Sequence, residues 1–490
     1  MKKIRTRIPP SPTGMFHVGS LRTALYDYLY AKHYQGDFLL RIEDTDRERL
    51  VDGSLENIIE SLFWAHIPPD EGVTQDENGN VTQVGEHGPY IQSERLDIYA
   101  SYAQILLDQH NAYYCFCTKE RLEELRETQQ AQKLPTGYDG HCKNLNTDIV
   151  QNKLAENIPH VVRLHMPDTG KTTWTDMVRG EVSFENNLID DQVLVKTDGF
   201  PTYHLAVVVD DYLMNITHVF RGEEWLSSTP KHIVLYNLFG WDVPEFGHLS
   251  LIVSNDGKKL GKRHGDVSLF TFKEKGYLSE AIVNFVAFLG WNPGTEQEIF
   301  TLPELVDAFS FEKVNKAAAV FNYEKLDWYN REWMKRLSIE ELADRARPFF
   351  EKAGMDTSSW NLVDLVTLGR ERATTLADIP ENVRFLLEEP SYDPSLLVWK
   401  KADTSDAKEM LIQLLQLLES QAESDWTGQR IEDAVMLWIK KHAYGVGNVL
   451  WPARVALSGL QNSPGPFDIM RALGKTPTLS RLAIAIKKLQ

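Results

Sequence analysis

Ile8-Pro9-Pro10-Ser11-Pro12-Thr13-Gly14-Met15-Phe16-His17-Val18-Gly19-Ser20 lies between a short apolar run, Ile4 to Ile8, and an amphipathic run carrying Val18, Leu21, Leu25, Tyr28 and Leu29. The second run repeats at helical spacing, so the order is strand, rigid Pro/Gly loop, helix, with His17 and Gly19 at the helix start. Unpaired backbone N–H groups and the positive end of the macrodipole make such a start an anion site. A histidine adds a donor, and a glycine admits a flat ligand to the backbone. The bland alternative is a surface loop whose histidine caps a helix.

Outward from this loop, Phe38-Leu39-Leu40-Arg41-Ile42 reads as a buried strand running into the acidic cluster Glu43-Asp44-Thr45-Asp46, and Ser54 to Trp64 as a helix. Strand, helix, strand, helix in this space predicts a doubly wound parallel sheet. Ligands of such sheets sit beyond the carboxyl ends of the strands, where the Pro10–Gly19 loop and Glu43-Asp44 both emerge. Residues 68–90 are turn-rich and read as a boundary. Arg95 to His110 and Lys119 to Gln130 read as helices, and Ala112 to Cys117, Val161 to Leu164 and Val182 to Leu188 as short strands of an inserted α+β module. The sheet pattern resumes at Gln192 to Lys196, Thr202 to Val209 and Ile216 to Phe220, and a helix follows through Pro230 to Phe239. From about residue 265 helical periodicity dominates.

Composition narrows the class. The 490 residues are 42% apolar and 25% charged, an ordinary globular balance, and three cysteines cannot form a disulfide framework. The apolar stretch Ala281–Thr295 is too short to span a bilayer, and no signal-peptide core follows the basic N-terminus, so the expectation is a cytoplasmic protein away from membranes. The net charge of −18 is unevenly spread: residues 331–490 carry 21 Lys+Arg against 22 Asp+Glu, and residues 430–490 carry nine against three. Local basic surface is what meets nucleic acid phosphates.

A second loop, Ser254-Asn255-Asp256-Gly257-Lys258-Lys259-Leu260-Gly261-Lys262-Arg263-His264-Gly265, follows a strand-like run. Four cations among glycines can fold over a polyphosphate and stabilise a leaving pyrophosphate. With His17-Val18-Gly19-Ser20 it resembles the paired HIGH and KMSKS motifs of class I aminoacyl-tRNA synthetases. Arg41-Ile42-Glu43-Asp44-Thr45-Asp46, Gln92-Ser93-Glu94-Arg95, Pro201 to Asp211, Arg221-Gly222-Glu223-Glu224-Trp225 and Arg454 to Gly459 sharpen the resemblance to bacterial-type glutamyl-tRNA synthetases. It covers nearly the whole chain, in order.

The resemblance implies a Rossmann-like α/β catalytic domain in two halves (residues 1–90 and 191–250), an inserted acceptor-end module (91–190), a lysine-loop and stem region (251–330) and an all-α anticodon-binding region (331–490). It implies attachment of L-glutamate to tRNA(Glu), with tRNA(Gln) left open, using ATP with Mg2+, by a monomer. By similarity His17, Gly19, Lys259 and Lys262 carry the ATP chemistry, with Glu224 and Trp225 also at the nucleotide. Arg7, Ser11, Glu43, Tyr203 and Arg221 would hold glutamate, whose two carboxylates and one ammonium ask for arginines and an acid. Val207 stands where some relatives have Asn. Outside that context Arg41, Asp44 and Asp46 read as structural ion pairs. Some relatives bind zinc through Cys-x-Cys followed by Cys-x-His. Here Cys115, Cys117 and Cys142 are present but Asn144 replaces the histidine, and His141 and Tyr138 lack the expected spacing, so the reading favours buried thiols over zinc. Three other readings explain less of the chain: a small-molecule nucleotidyltransferase, a shorter tRNA-base glutamylating relative, and a non-catalytic tRNA-binding paralogue.

Overall fold

The computed structural model describes residues 2–260, 267–400 and 402–489 and divides into two compact units, residues 1–273 with 279–326 and residues 274–278 with 327–490.

In the first unit, β1 (Arg5–Ile8) leads through the Pro/Gly loop into α1 (Val18–His33), and then come β2 (Asp37–Leu40), α2 (Ser54–Trp64), β3 (Glu71–Gln75) and β4 (Val81–Val84). Strands β1, β2 and β3 are parallel, and β4 closes this edge antiparallel. The turn-rich stretch 68–90 contains an edge hairpin, with Asn78, Gly79 and Asn80 in the turn between β3 and β4. Next come α3 (Leu96–Asp108), β5 (Ala112–Cys115), α4 (Lys119–Ala131), α5 (Thr147–Ala155), β6 (Val161–Leu164), β7 (Lys171–Asp176), β8 (Gly180–Glu185) and β9 (Val193–Val195). Strands β5, β6 and β9 form a separate antiparallel sheet.

The chain returns to the main sheet through α6 (Tyr203–Leu213), β10 (His218–Gly222), α7 (Thr229–Phe239) and β11 (Glu245–Leu249). β10 lies beside β1, where Thr217 donates its amide to the Arg5 carbonyl at 3.0 Å, and it pairs parallel with β11. β11 in turn pairs parallel with β7, so the β7–β8 hairpin belongs to the main sheet rather than to the module's sheet. The two four-stranded sheets, β4-β3-β2-β1 and β10-β11-β7-β8, meet where β1 lies beside β10, which gives a doubly wound parallel core with an antiparallel strand at each edge, a Rossmann-like fold with an inserted α+β module.

Thr202–Val209, expected as a strand, is the start of α6. Its valines are β-branched, but Leu205 to Val209 are all buried under the sheet, and a short apolar run has no period that separates strand from buried helix. Val207 packs in this core with Leu205, Leu194 and Leu235. The 182–188 run ends as strand at Glu185 and turns through Asn186–Leu188.

The second unit is all-α. Its helices include Ile339–Lys352, Asp378–Leu387, Thr404–Glu419, Gly428–Lys441, Val446–Ser458 and Lys475–Lys488. Ser338, Asp403 and Thr427 cap three of these N-termini with side-chain oxygens. No helix among the described residues is long and apolar enough to cross a membrane.

Candidate active site

The Pro/Gly loop fixes its histidine by hydrogen bonding. Phe16 donates its amide to Asn57 Oδ1 at 2.8 Å and accepts at its carbonyl from Leu269, which pins the loop before the helix begins. His17 is the N-cap of α1: its Nδ1 accepts from the Gly19 amide at 3.0 Å and the Ser20 amide at 3.3 Å. The ring proton therefore resides on Nε2, which donates to Ser20 Oγ at 3.3 Å or to a ligand. The amide of Val18 is also taken, by the Val267 carbonyl at 3.0 Å. The free backbone N–H groups expected at this helix start are thus occupied within the chain, and the exposed donor is the imidazole. The glycine serves the histidine: a Cβ on Gly19 would lie 2.9 Å from His17 Cε1. Surrounding protein atoms, and then the Lys259 ammonium, push the His17 pKa below the ordinary histidine value, with Glu224 acting in opposition. Lys259 Nζ stands 3.9 Å from Glu224 Oε1, both exposed. Lys262 and Gly261 lie outside the described residues.

A buried charged cluster lies on the same end of the strands. Arg7, 1% exposed, donates Nε and Nη2 to the two carboxylate oxygens of Asp211 at 3.1 Å each, while its Nη1 has no partner. Arg41 is fully buried and donates to Asp211 Oδ1 at 2.7 Å and to Glu43 Oε1 at 3.1 Å. Asp210 collects Arg95 Nε, Gln92 Nε2 and the Tyr99 hydroxyl at 2.8–2.9 Å. Asp44 accepts from the Ser93 amide and hydroxyl. The Arg41 stretch, the Gln92–Arg95 stretch and Asp210-Asp211 therefore interlock as one network, and the ion-pair reading of Arg41 describes its contacts. Burial, opposed by Arg41 and Arg7, pushes the Glu43 pKa up to about 7.

Tyr203 joins this cluster to Arg221. Its hydroxyl accepts from Arg221 Nη1 at 3.1 Å and is electrostatically coupled to Glu43 and Arg7 as well. Its ring packs 4.4 Å from that of Trp225, which follows Glu224. Arg7, Glu43, Tyr203 and Arg221 thus converge, His17, Lys259 and Glu224 form a second group, and the Tyr203–Trp225 contact links the two. Ser11 lies exposed on the loop.

These two groups sit in a chain whose residues 3–328 match the family profile "tRNA synthetases class I (E and Q), catalytic domain". The chain belongs to the class I tRNA synthetases. Residues 341–486 of the synthetase match an "Anticodon binding domain". It is 47% identical to the glutamate–tRNA ligase of Clostridium tetani over 100% of this chain and 98% of that one, and 43% identical to that of Finegoldia magna over the full length of both. A crystal structure of a glutamate tRNA ligase from Elizabethkingia meningosepticum in complex with its amino acid superposes with a TM-score of 0.90 at 38% identity, covering 100% of each chain.

Asp211 ends the Pro201–Asp211 stretch but had no role assigned to it, and Asp176, His248 and His232, which complete the hold on the arginines of the synthetase, drew no notice in the sequence. In the inserted module the sulfurs of Cys115, Cys117 and Cys142 lie within 4.8 Å of one another. The Tyr138 hydroxyl, discounted on its spacing, reaches Cys115 Sγ at 3.3 Å and Cys117 Sγ at 3.6 Å. The cluster therefore offers four donors, and Asn144 is not needed to complete it.

Proposed function

We propose that this synthetase attaches L-glutamate to the 3′ end of tRNA(Glu). In the first step the glutamate α-carboxylate attacks the α-phosphorus of ATP and pyrophosphate leaves. In the second, a terminal ribose hydroxyl of the tRNA attacks the adenylate carbonyl and AMP leaves. The observation that carries the glutamate assignment is the convergence of Arg7 and Arg221 with Glu43 and the Tyr203 hydroxyl, two cations and one acid for two carboxylates and one ammonium. Arginine has only donors, so a glutamine amide would set N–H against N–H, and a buried unmet donor is costly. Ser11 adds a hydroxyl from the loop.

His17 and Gly19 are assigned to ATP, with the imidazole Nε2–H as the phosphate donor. Lys259 and Lys262 stabilise the departing pyrophosphate, and Glu224 and Trp225 flank the nucleotide. Mg2+ arrives with ATP as part of the substrate. Loss of one such preorganised donor costs ~2.7–4 kcal/mol of transition-state stabilisation. Residues 91–190 are assigned to the acceptor end and 331–490 to the anticodon, with the chain acting as a cytoplasmic monomer. At the thiol cluster, three sulfurs and a phenolic oxygen form a set that zinc accepts in a closed structural site; it would tie Cys115 and Cys117 to the Tyr138–Cys142 turn and take no part in the reaction.

The decisive assay is pyrophosphate exchange with and without purified tRNA. Glutamate-dependent exchange that requires tRNA(Glu) is expected; robust exchange without tRNA counts against the assignment. Lys262→Ala is expected to depress activation far more than tRNA affinity, and equal losses would remove the loop's assigned role. Charging assays with tRNA(Glu) and tRNA(Gln) side by side decide whether both are substrates.

A further inference from the structure

Arg221 is held by four side chains, and the direction of each of its own bonds can be worked out. Its Nε meets His248 Nε2 at 3.1 Å, Nη2 meets Thr229 Oγ1 at 2.7 Å, and Nη1 meets Tyr203 Oη at 3.1 Å and His232 Nδ1 at 3.2 Å. A guanidinium has five N–H donors and no acceptor, so each partner atom must accept. Four donors are used, leaving one Nη2–H. Tyr203, having accepted, keeps its own O–H for something else. The pair thus presents one N–H and one O–H.

The same arithmetic fixes the histidines. His248 Nε2 accepts, so the ring proton is on Nδ1, and Nδ1 faces Asp176 Oδ2 at 2.5 Å with both side chains fully buried. The other Asp176 oxygen is taken by the amides of Val178, Arg179 and His248 at 2.9–3.2 Å. His232 accepts at Nδ1, so its Nε2–H donates to His204 Nδ1 at 3.0 Å. Burial and the Arg221 charge, which hold His248 and His232 below the ordinary histidine pKa, agree with this neutral arrangement. Asp176 ends β7 of the hairpin, 72 residues from His248 on β11, where the two strands pair.

We propose that Asp176 is a positioning residue acting through His248: it sets the imidazole tautomer that turns a lone pair toward Arg221, and so aims the remaining Arg221 N–H and the Tyr203 O–H at a substrate carboxylate. This rests on the assignment of Arg221 to glutamate. Neither Asp176 nor His248 touches the substrate; their effect is on how well Arg221 does.

Asp176→Asn tests it with almost no change in shape. The amide oxygen can keep the three backbone donors, but its NH2 then faces His248 Nδ1 and forces that atom to accept. The proton moves to Nε2, where it faces the Arg221 Nε–H donor against donor and can turn only toward Thr229 Oγ1, 3.0 Å away, so the Arg221–His248 bond is lost. A carboxylate partner orients a histidine in this way in hydrolytic triads, where the same substitution traps the wrong tautomer. In steady-state tRNA charging the glutamate KM is expected to rise tenfold or more, with the ATP KM changed less than twofold. His248→Gln removes the imidazole through which Asp176 acts, and its own glutamate KM sets the reference for that background. On that background Asp176→Asn should add almost nothing, a non-additivity expected only of groups acting through one another.

An unchanged glutamate KM in Asp176→Asn overturns the proposal. So does an equal rise in the ATP KM, or a penalty that persists in the His248→Gln background. Arg221→Lys separates the two levels of inference: if it raises the glutamate KM and Asp176→Asn does not, the relay alone fails. If Arg221→Lys has no effect on the glutamate KM, the glutamate assignment itself fails. Should the Asn variant not fold, 15N-histidine NMR of the wild type decides. A protonated Nδ1 that disappears in His248→Gln supports the relay, and a protonated Nε2 at His248 ends it.

Discussion

Glutamate affinity should fall as the solution is acidified from pH 8 to pH 6, and Glu43 should be the reason. The Glu43 carboxyl is buried, and its pKa stands near 7 because desolvation outweighs Arg41 and Arg7. To pair with the substrate ammonium it must be ionised, so below pH 7 binding first has to drive a proton off. The apparent dissociation constant scales as one plus ten to the power of pKa minus pH, about elevenfold at pH 6 and about 1.1-fold at pH 8. Titration calorimetry at pH 6, 7 and 8 is therefore expected to show roughly tenfold weakening across the range, with proton release on binding near pH 6.5. Glu43→Gln should bind weakly at every pH with no slope; it carries any titration that belongs to substrate or buffer. The stability of the unliganded protein follows from the same shift. A carboxyl whose folded pKa exceeds its unfolded value contributes stability that is complete below about 4.5 and lost as pH rises through 7. That loss amounts to roughly 3 kcal/mol, so the Gln variant should gain on wild type over that window. An affinity flat within twofold from pH 6 to 8, or an equal slope in Glu43→Gln, would refute the reasoning.

Gly19→Ala should crowd the His17 ring off its cap, lowering stability by about 1 kcal/mol and the activation rate by about tenfold or more, with glutamate affinity retained; equilibrium dialysis and pyrophosphate exchange measure the two. Arg41→Met strands Glu43 in the interior and removes one of the two cations of Asp211, and denaturant unfolding should show a loss of about 3–5 kcal/mol. Elemental analysis should return close to one zinc per chain. Cys142→Ser should lose it and lower the melting temperature while pyrophosphate exchange persists; three freely titrating thiols in the native protein would show instead an empty cluster.

The parts of this molecule that were legible in the sequence are those whose cause is local. The His17 helix start, the two N-terminal strands and α2 follow from apolar spacing and Pro/Gly punctuation, and they sit within a residue or two of the expectation. Thr202–Val209 was not legible because a buried helix and a buried strand both demand unbroken apolar residues. The main sheet's use of the β7–β8 hairpin was hidden because one short strand pairing, Phe246 with Asp176, decides it. The site divides the same way. Arg7, Glu43, Tyr203 and Arg221 stand in motifs, as do Arg41 and Asp211, whereas Asp176, His248 and His232 behind Arg221 are single residues scattered along the chain. Nothing about Asp176 or His248 in isolation predicts that they meet. The place of Tyr138 beside the thiols was not legible from spacing, since a turn brings it back over Cys115 at a distance that counting residues does not give.

Arg7 and Arg41 are held by a carboxylate 204 and 170 residues further along the chain. During synthesis at about 5–20 residues per second, Arg7 and Arg41 are made roughly 8–40 seconds before Asp211. Arg41 has Glu43 in the same half at 3.1 Å, but the bidentate partner of Arg7 is Asp211, so closing this half early would seal the Arg7 guanidinium in without its carboxylate. The charge that prepares the pocket therefore also disfavours early closure of the nascent half, until the helix that carries Asp211 has been made.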